Sequence, residues 1–69
     1  MKKLSLRQKE IYEFIKEYLE DNSYPPTQSE IAIELGLSQQ TIREYLLVLS
    51  KKGYINWIEN IPRSIKVIL

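Results

Sequence analysis

Residues 27–52, TQSEIAIELGLSQQTIREYLLVLSKK, carry the start and stop signals of two short helices. Thr27 followed by Glu30 is a capping box, in which each side chain accepts a hydrogen bond from the other residue's backbone N–H. Gly36 ends the first helix, because the residue after a helix often needs a positive φ that glycine adopts without strain. Ser38 is suited to cap the second helix. Two helices joined by a short glycine-containing turn form a helix-turn-helix arrangement.

Apolar residues at spacings of three and four give each of these helices one face toward a core. The second helix has the clearer stripe, formed by Ile42, Tyr45, Leu46 and Leu49. Gly53 ends it, after two lysines that suit the negative end of a helix dipole. We therefore expect helices over about 28–35 and about 39–52.

The preceding residues predict one more helix over about 6–20. Ser5 and Gln8 form a second capping box. The apolar stripe of this helix comprises Ile11, Phe14, Ile15, Tyr18 and Leu19. We expect it to fray at residues 21–23, which prefer turns, and the Pro25-Pro26 pair then forms a stiff structural bridge to Thr27.

After Gly53 the apolar period changes from helical to two, which predicts strands over residues 54–58 and 64–69 with a loop at 59–63. One face of this hairpin, the wing (residues 54–69), carries Ile55, Trp57, Ile65, Val67 and Leu69. We expect Tyr24, Tyr54 and Trp57 to lie in the core or at its edge. The predicted fold is α+β and mainly α: a three-helix winged helix-turn-helix in one domain, residues 1–69.

Composition excludes several kinds of function. The chain has no cysteine and no histidine, which excludes disulfides, Cys/His zinc sites and histidine catalysis, so we expect no metal and no cofactor. Acidic pairs such as Glu13 and Glu17 lie on an open helix face without a pocket, so an enzyme is not expected. The first ten residues lack the apolar core of a signal peptide, and no apolar run is long enough to span a membrane, so a cytoplasmic protein is expected.

The net charge is only +1, but it is unevenly distributed. Residues 1–35 have a net charge of −2, and residues 36–69 have a net charge of +3. This asymmetry indicates an oriented electrostatic face, although so few charges could also be distributed this way by chance.

The chain resembles the N-terminal DNA-binding domains of the LexA repressor family over almost its whole length. The resemblance is carried by LSLRQKEIYEFI, YPPTQSEIAIELGL, LSKKGYI and PRSIKVIL. It implies a transcriptional repressor domain, and a role in the SOS response to DNA damage if the chain is a domain of a full LexA repressor. A standalone relative that regulates other genes is the alternative.

One departure from the family lies in GLSQQTI at the turn, which looks one residue shorter than is usual in LexA proteins. The outward residues of the following helix also differ from the familiar recognition helix. The operator sequence therefore does not follow from the resemblance.

The N-terminal part of the second helix of a helix-turn-helix faces base edges in the major groove. The candidates for base contact are Ser38, Gln39, Gln40, Thr41, Arg43 and Glu44. Gln suits adenine N6/N7, Arg suits guanine O6/N7 and Glu suits cytosine N4. The alternative is that these are ordinary solvated helix residues.

Phosphate contacts are expected from the groups that surround this helix. The candidates are Thr27, Ser29, Lys51, Lys52, Arg63, Ser64, Lys66 and Arg7. Arg63 could reach a narrow minor groove, which attracts arginine. Lys51 and Lys52 also suit the end of a helix dipole, and Arg7 could be a solvated first-turn residue.

The predicted partner is double-stranded DNA with a palindromic operator, bound by two copies of a domain that is monomeric in solution. We expect no membrane and no small-molecule ligand. The competing hypothesis is a winged helix that contacts only protein, which the outward Ile33, Leu47 and Val48 favour.

Overall fold

A computed structural model describes residues 3–68, which form three helices followed by a small sheet. The helices are α1 (Leu6–Asn22), α2 (Gln28–Leu35) and α3 (Gln39–Lys51). The strands β1 (Ile55–Asn56) and β2 (Lys66–Val67) pair antiparallel, with Ile55 opposite Val67 and Asn56 opposite Lys66. This architecture confirms the predicted winged helix-turn-helix class.

The helix caps form as the sequence predicts. Thr27 Oγ1 accepts from the N–H of Glu30 at 3.1 Å, and the Glu30 carboxylate accepts from the N–H of Thr27 at 2.8 Å. Gly36 ends α2 with φ at 66°, and Ser38 Oγ accepts from the N–H of Thr41 at 3.1 Å. These local bonds satisfy backbone groups at the helix ends and thereby fix the turn between α2 and α3.

Helix α1 continues two residues beyond the predicted end. Asp21 and Asn22 remain helical, and the Asn22 side-chain amide donates to Tyr18 O at 3.0 Å, one turn earlier in the helix. Ser23 then ends the helix in the left-handed conformation, with φ at 64°. Helix α3 ends at Lys51, one residue earlier than predicted, and Lys52 is its C-cap.

Helix α3 lies at the centre of the molecule, where it contacts α1, α2 and β1. The buried hydrophobic residues among those described are Ile11, Tyr12, Ile15, Ile31, Ala32, Ile42, Leu46, Leu49, Ile55 and Ile65. Full burial of one aliphatic side chain contributes about 1.5–3 kcal/mol. Every helix and both ends of the wing therefore contribute to one core.

The strands of the wing are much shorter than predicted. Ser64 Oγ accepts from Ile58 N at 3.0 Å and donates to Ile58 O at 2.8 Å, so a side chain occupies the backbone groups that a longer ladder would use. Asn60 and Arg63 adopt positive φ values of 69° and 56°, which curl the connection. Leu69, placed by the sequence on the inward face, lies outside the described residues.

The aromatic residues divide into two groups. Tyr54 and Trp57 are half-buried and pack against the core, as expected. Tyr24 is 45% exposed, so its expected place at the core was wrong. The ring of Tyr24 instead packs edge-on against Tyr18, with centroids 6.0 Å apart, and contacts the guanidinium of Arg63.

Candidate nucleic-acid interface

The first two turns of α3 present a polar face on the side opposite the core. Ile42 and Leu46 are fully buried, whereas Gln39, Gln40 and Glu44 are exposed. Two other residues of the predicted base-contacting set have a local structural role, because Ser38 Oγ and Thr41 Oγ1 are hydrogen-bonded at 2.9 Å. Gln39, Gln40, Arg43 and Glu44 thus remain as the outward-facing candidates.

Two pairs of side chains order this polar face. Gln40 Nε2 donates to Glu44 Oε2 at 3.4 Å, a long hydrogen bond along the helix. Arg43 Nε donates to the carboxylate of Glu59, which lies in the wing. The hydrogen bond and the negative charge of Glu59 raise the pKa of Arg43 above its ordinary value. Gln40 is therefore linked to Glu44 within α3, and Arg43 is linked to the wing.

A cleft of about 390 Å³ lies between the start of α2, the start of α3 and the loop of the wing. It brings together five of the residues predicted from the sequence: Thr27, Ser29, Gln39, Arg63 and Ser64. Gln28 was not among the predicted site residues, but it also lines the cleft. Its side-chain amide donates to Gln39 O at 2.9 Å. This bond holds the first turn of α2 beside the first turn of α3.

Arg63 makes a bidentate ion pair with Glu30 at the start of α2. Its two terminal nitrogens donate to the two carboxylate oxygens at 3.0 Å each, and Nη1 also donates to Pro25 O at 3.0 Å. The guanidinium carbon lies 4.6 Å from the centre of the Tyr24 ring, a cation–π distance. Arg63 therefore fastens the wing to the α1–α2 bridge.

The electrostatics of this ion pair follow from its hydrogen bonds. The bond from Arg63, followed by the bond from the N–H of Thr27, lowers the pKa of Glu30 to about 2. The pKa of Arg63 is raised, chiefly by its hydrogen bond to Glu30. Both side chains are more than one-third exposed, so water screens their attraction. The pair stays ionised throughout the neutral range.

The remaining predicted phosphate contacts lie elsewhere on the molecule. Lys52 Nζ donates to Lys3 O at 2.9 Å and to Gln8 Oε1 at 2.7 Å, which ties the end of α3 to the start of α1. Arg7 forms a 3.7 Å ion pair with Glu10 on the surface of α1. Lys51 and Lys66 are exposed, the latter in β2. These four residues do not line the cleft.

Residues 3–68 contain neither a candidate metal site nor a helix that could span a membrane. No group of three or more histidine, cysteine, aspartate and glutamate residues there could hold a metal ion. In the same part of the chain, no helix has the length and apolar character needed to cross a bilayer.

The helix-turn-helix, the wing and the exposed polar start of α3 define the class of winged helix-turn-helix domains. The LexA DNA binding domain family model matches residues 1–64, and the chain belongs to this family. The family describes a DNA-binding regulatory domain and not a catalytic one.

Curated relatives agree with the family match. The LexA repressor of Pseudomonas chlororaphis is 48% identical over 68 residues, which cover 97% of this chain and 34% of the relative. The LexA repressor of Glaesserella parasuis serovar 5 (strain SH0165) is 40% identical over 67 residues, which cover 96% of this chain and 32% of the relative. The LexA repressor 1 of Pseudomonas putida KT2440 is 47% identical, with 97% and 34% coverage. The chain thus spans about a third of the length of the relatives it matches.

Proposed function

We propose that this domain binds double-stranded DNA at specific sequences as the DNA-reading part of a LexA-like transcriptional repressor. The observation that carries the proposal is the exposed polar start of α3 in a chain that belongs to the LexA DNA binding domain family. In a helix-turn-helix this part of the second helix enters the major groove. The buried stripe of α3 supports the same orientation, because it leaves the opposite face toward solvent.

Base contacts in this proposal come from Gln39, Gln40, Arg43 and Glu44, the outward side chains of the first two turns. Arg43 offers a guanidinium fork for guanine O6 and N7, and the glutamines suit adenine N6 and N7. Ser38 and Thr41 mainly stabilise the start of α3, because their hydroxyls bond to each other at the helix cap. Discrimination therefore rests on a small number of long side chains.

Phosphate contacts set the register of the domain on the duplex. The start of α2, with Thr27 and Ser29, is favoured because it shares a cleft with Gln39 and offers backbone N–H groups to an anion. Arg63 and Ser64 border the same cleft from the wing. Lys51, Lys52, Lys66 and Arg7 would add longer-range attraction from outside it. The ion pair with Glu30 makes Arg63 first a support of the wing and second a DNA contact.

Two copies on a two-fold operator would supply the specificity that one small domain lacks, because its base contacts are few. The matched repressors are about three times as long as this chain. The proposed setting is the bacterial cytoplasm, where the repressor would act on the nucleoid. Its proposed targets are the genes of the SOS response.

Selection from random duplex DNA tests sequence-specific binding. We expect an enriched motif, and Arg43→Ala should weaken binding to it by about 1–3 kcal/mol, roughly 5- to 150-fold, as expected for an arginine–guanine pair. Lys9→Ala is the matched control, because it removes one positive charge from an exposed position on α1. A selection without enrichment, or binding that is equally weakened by both variants, contradicts the proposal.

A protein-contact function is the second candidate, because Ile33 is 80% exposed on α2 and Leu47 is 42% exposed on α3. A salt titration separates the two functions. DNA affinity should fall steeply with salt in proportion to the phosphates contacted. A flat salt response, together with tight binding to a protein that Ile33→Ser abolishes, would favour the second candidate.

A further inference from the structure

We propose that Glu59 is a positioning residue for base recognition: it holds Arg43 from the wing and thereby helps to set the sequence preference of α3. This inference rests on the proposed DNA-reading function. Its structural basis is the hydrogen bond from Arg43 Nε to the Glu59 carboxylate, which joins residues sixteen positions apart in the chain. The bond links the helix that would enter the major groove to the loop of the wing.

The geometry of this bond is compatible with guanine recognition. A guanidinium has five N–H donors in a rigid plane, and Nε provides only one of them. The bond to Glu59 therefore leaves the terminal nitrogens of Arg43 to approach O6 and N7 of guanine. A carboxylate on Nε fixes the plane of the fork before DNA arrives, and a preorganised side chain loses less conformational entropy on binding.

The backbone around Glu59 is itself well fixed. Ile58 is bonded through its N–H and its carbonyl to the Ser64 hydroxyl, at 3.0 Å and 2.8 Å. The N–H of Ile61 also donates to Ile58 O at 3.2 Å, which closes a turn over the intervening residues. The carboxylate therefore projects from a braced turn, and its position relative to α3 is determined by the wing.

Glu59 is not the only acid near Arg43. Glu44 also adds a favourable charge interaction with Arg43, but its carboxylate accepts a hydrogen bond from Gln40 along the helix. Glu59 alone joins Arg43 to an element outside α3 in the hydrogen bonds of the described residues. It is therefore the residue through which the wing would influence base preference.

A negative charge beside the reading face has a second effect. It repels DNA phosphates and so opposes binding that depends on charge alone. Removal of Glu59 should therefore change specific and non-specific binding in opposite directions. A purely structural defect would weaken both, and a purely electrostatic role would strengthen both.

The test uses the motif selected by the unaltered chain and the guanine position at which Arg43→Ala relaxes preference. Glu59→Ala should lower the preference for the motif over a copy substituted at that position by about tenfold, a part of the range for one arginine–guanine pair. Binding to random duplex should become tighter, because a charge that repels phosphates is removed. Glu59→Gln, which keeps an oxygen acceptor for Nε, should recover part of the preference.

Glu13→Ala is the matched control, since it removes one negative charge from an exposed position on α1. It should leave the preference unchanged. A Glu59→Ala variant that keeps the full preference of the unaltered chain, or an Arg43→Ala variant that relaxes no position, overturns the inference and leaves the DNA-binding proposal standing. Failure of the unaltered chain to select any motif would instead overturn the proposed function itself.

Discussion

Helix α3 and the wing both pack on the same small body, but different kinds of contact hold them there. Helix α3 buries Ile42, Leu46 and Leu49 completely, and its polar contacts lie outside the core. The wing buries Ile55 and Ile65, and two ion pairs, Arg63 with Glu30 and Arg43 with Glu59, connect its loop to the helices. The position of α3 should therefore be insensitive to salt and pH, whereas the orientation of the wing depends on charge.

The largest effect in this comparison is expected for Leu46→Ala in α3. Leu46 is fully buried at the centre of the core, and truncation of such a side chain costs about 2–5 kcal/mol through lost burial and the remaining cavity. Urea unfolding followed by circular dichroism measures the change. Leu47→Ala is the control, because Leu47 is the next residue in α3 and is 42% exposed. Equal losses for the two variants would contradict an apolar attachment of α3.

The two glycine turns provide an intermediate effect that separates the regions. Gly36 joins α2 to α3 with φ at 66°, and Gly53 joins α3 to the wing with φ at 86°. A Cβ at either position would meet no atom within 4 Å, so alanine brings backbone strain alone, about 1–2 kcal/mol.

Both alanine variants should lower the urea concentration at the midpoint of unfolding, and by similar amounts. Only Gly36→Ala should change the relative placement of α2 and α3, which an altered pattern of chemical shifts at Gln28 and Gln39 would report. Gly53→Ala should instead perturb β1 and β2. If Gly36→Ala perturbs the strands, or Gly53→Ala changes the placement of α2 and α3, the two turns do not act separately.

The smallest effect is the pH response of the wing. The pKa of Glu30 is lowered to about 2 by the hydrogen bond from Arg63 and then by that from Thr27 N–H. A lowered pKa means that the contribution of this group to stability is complete above its ordinary value near 4.5 and is lost as the pH falls toward 2. NMR signals of Tyr24 and Arg63 should therefore change in this acidic window.

Glu30→Gln is the appropriate variant, because glutamine can keep the capping box with Thr27 while it removes the charge. It should abolish the acidic change at Arg63 without unfolding α2. An unchanged titration of the Arg63 signals in this variant would show that another carboxylate governs the wing.

The sequence predicted those parts of the fold that depend on neighbouring residues. Thr27 and Glu30 are three positions apart and their capping box formed, and the apolar period of α3 located its buried face. The predicted strand lengths were wrong because Ser64 bonds to the backbone of Ile58, and the apolar period does not reveal this bond. The end of α1 was predicted two residues too early. Asn22 has a low helix propensity, but it stays in the helix with its side chain bonded to Tyr18 O.

The candidate site was predicted less completely. Gln39, Gln40 and Arg43 were placed on an exposed face by helix geometry, and their contact with DNA remains a prediction. The roles of Gln28 and Glu59 were missed, because each depends on a partner from another element: Gln39 O for Gln28 and Arg43 for Glu59. Polar residues of this kind carry no periodic signal, and only the folded arrangement reveals their partners.

The two-residue strands also affect how molecules behave when they are concentrated. An unpaired strand edge can recruit another chain through its backbone groups, and proteins limit this hazard by keeping edge strands short. The paired segments here are Ile55–Asn56 and Lys66–Val67, so each edge is only about 7 Å long. The exposed Ile58 and Ile61 lie outside the paired residues, and Ile68 follows β2, where its N–H donates to Tyr54 O at 2.9 Å. The wing is therefore a poor template for aggregation through intermolecular β-sheet.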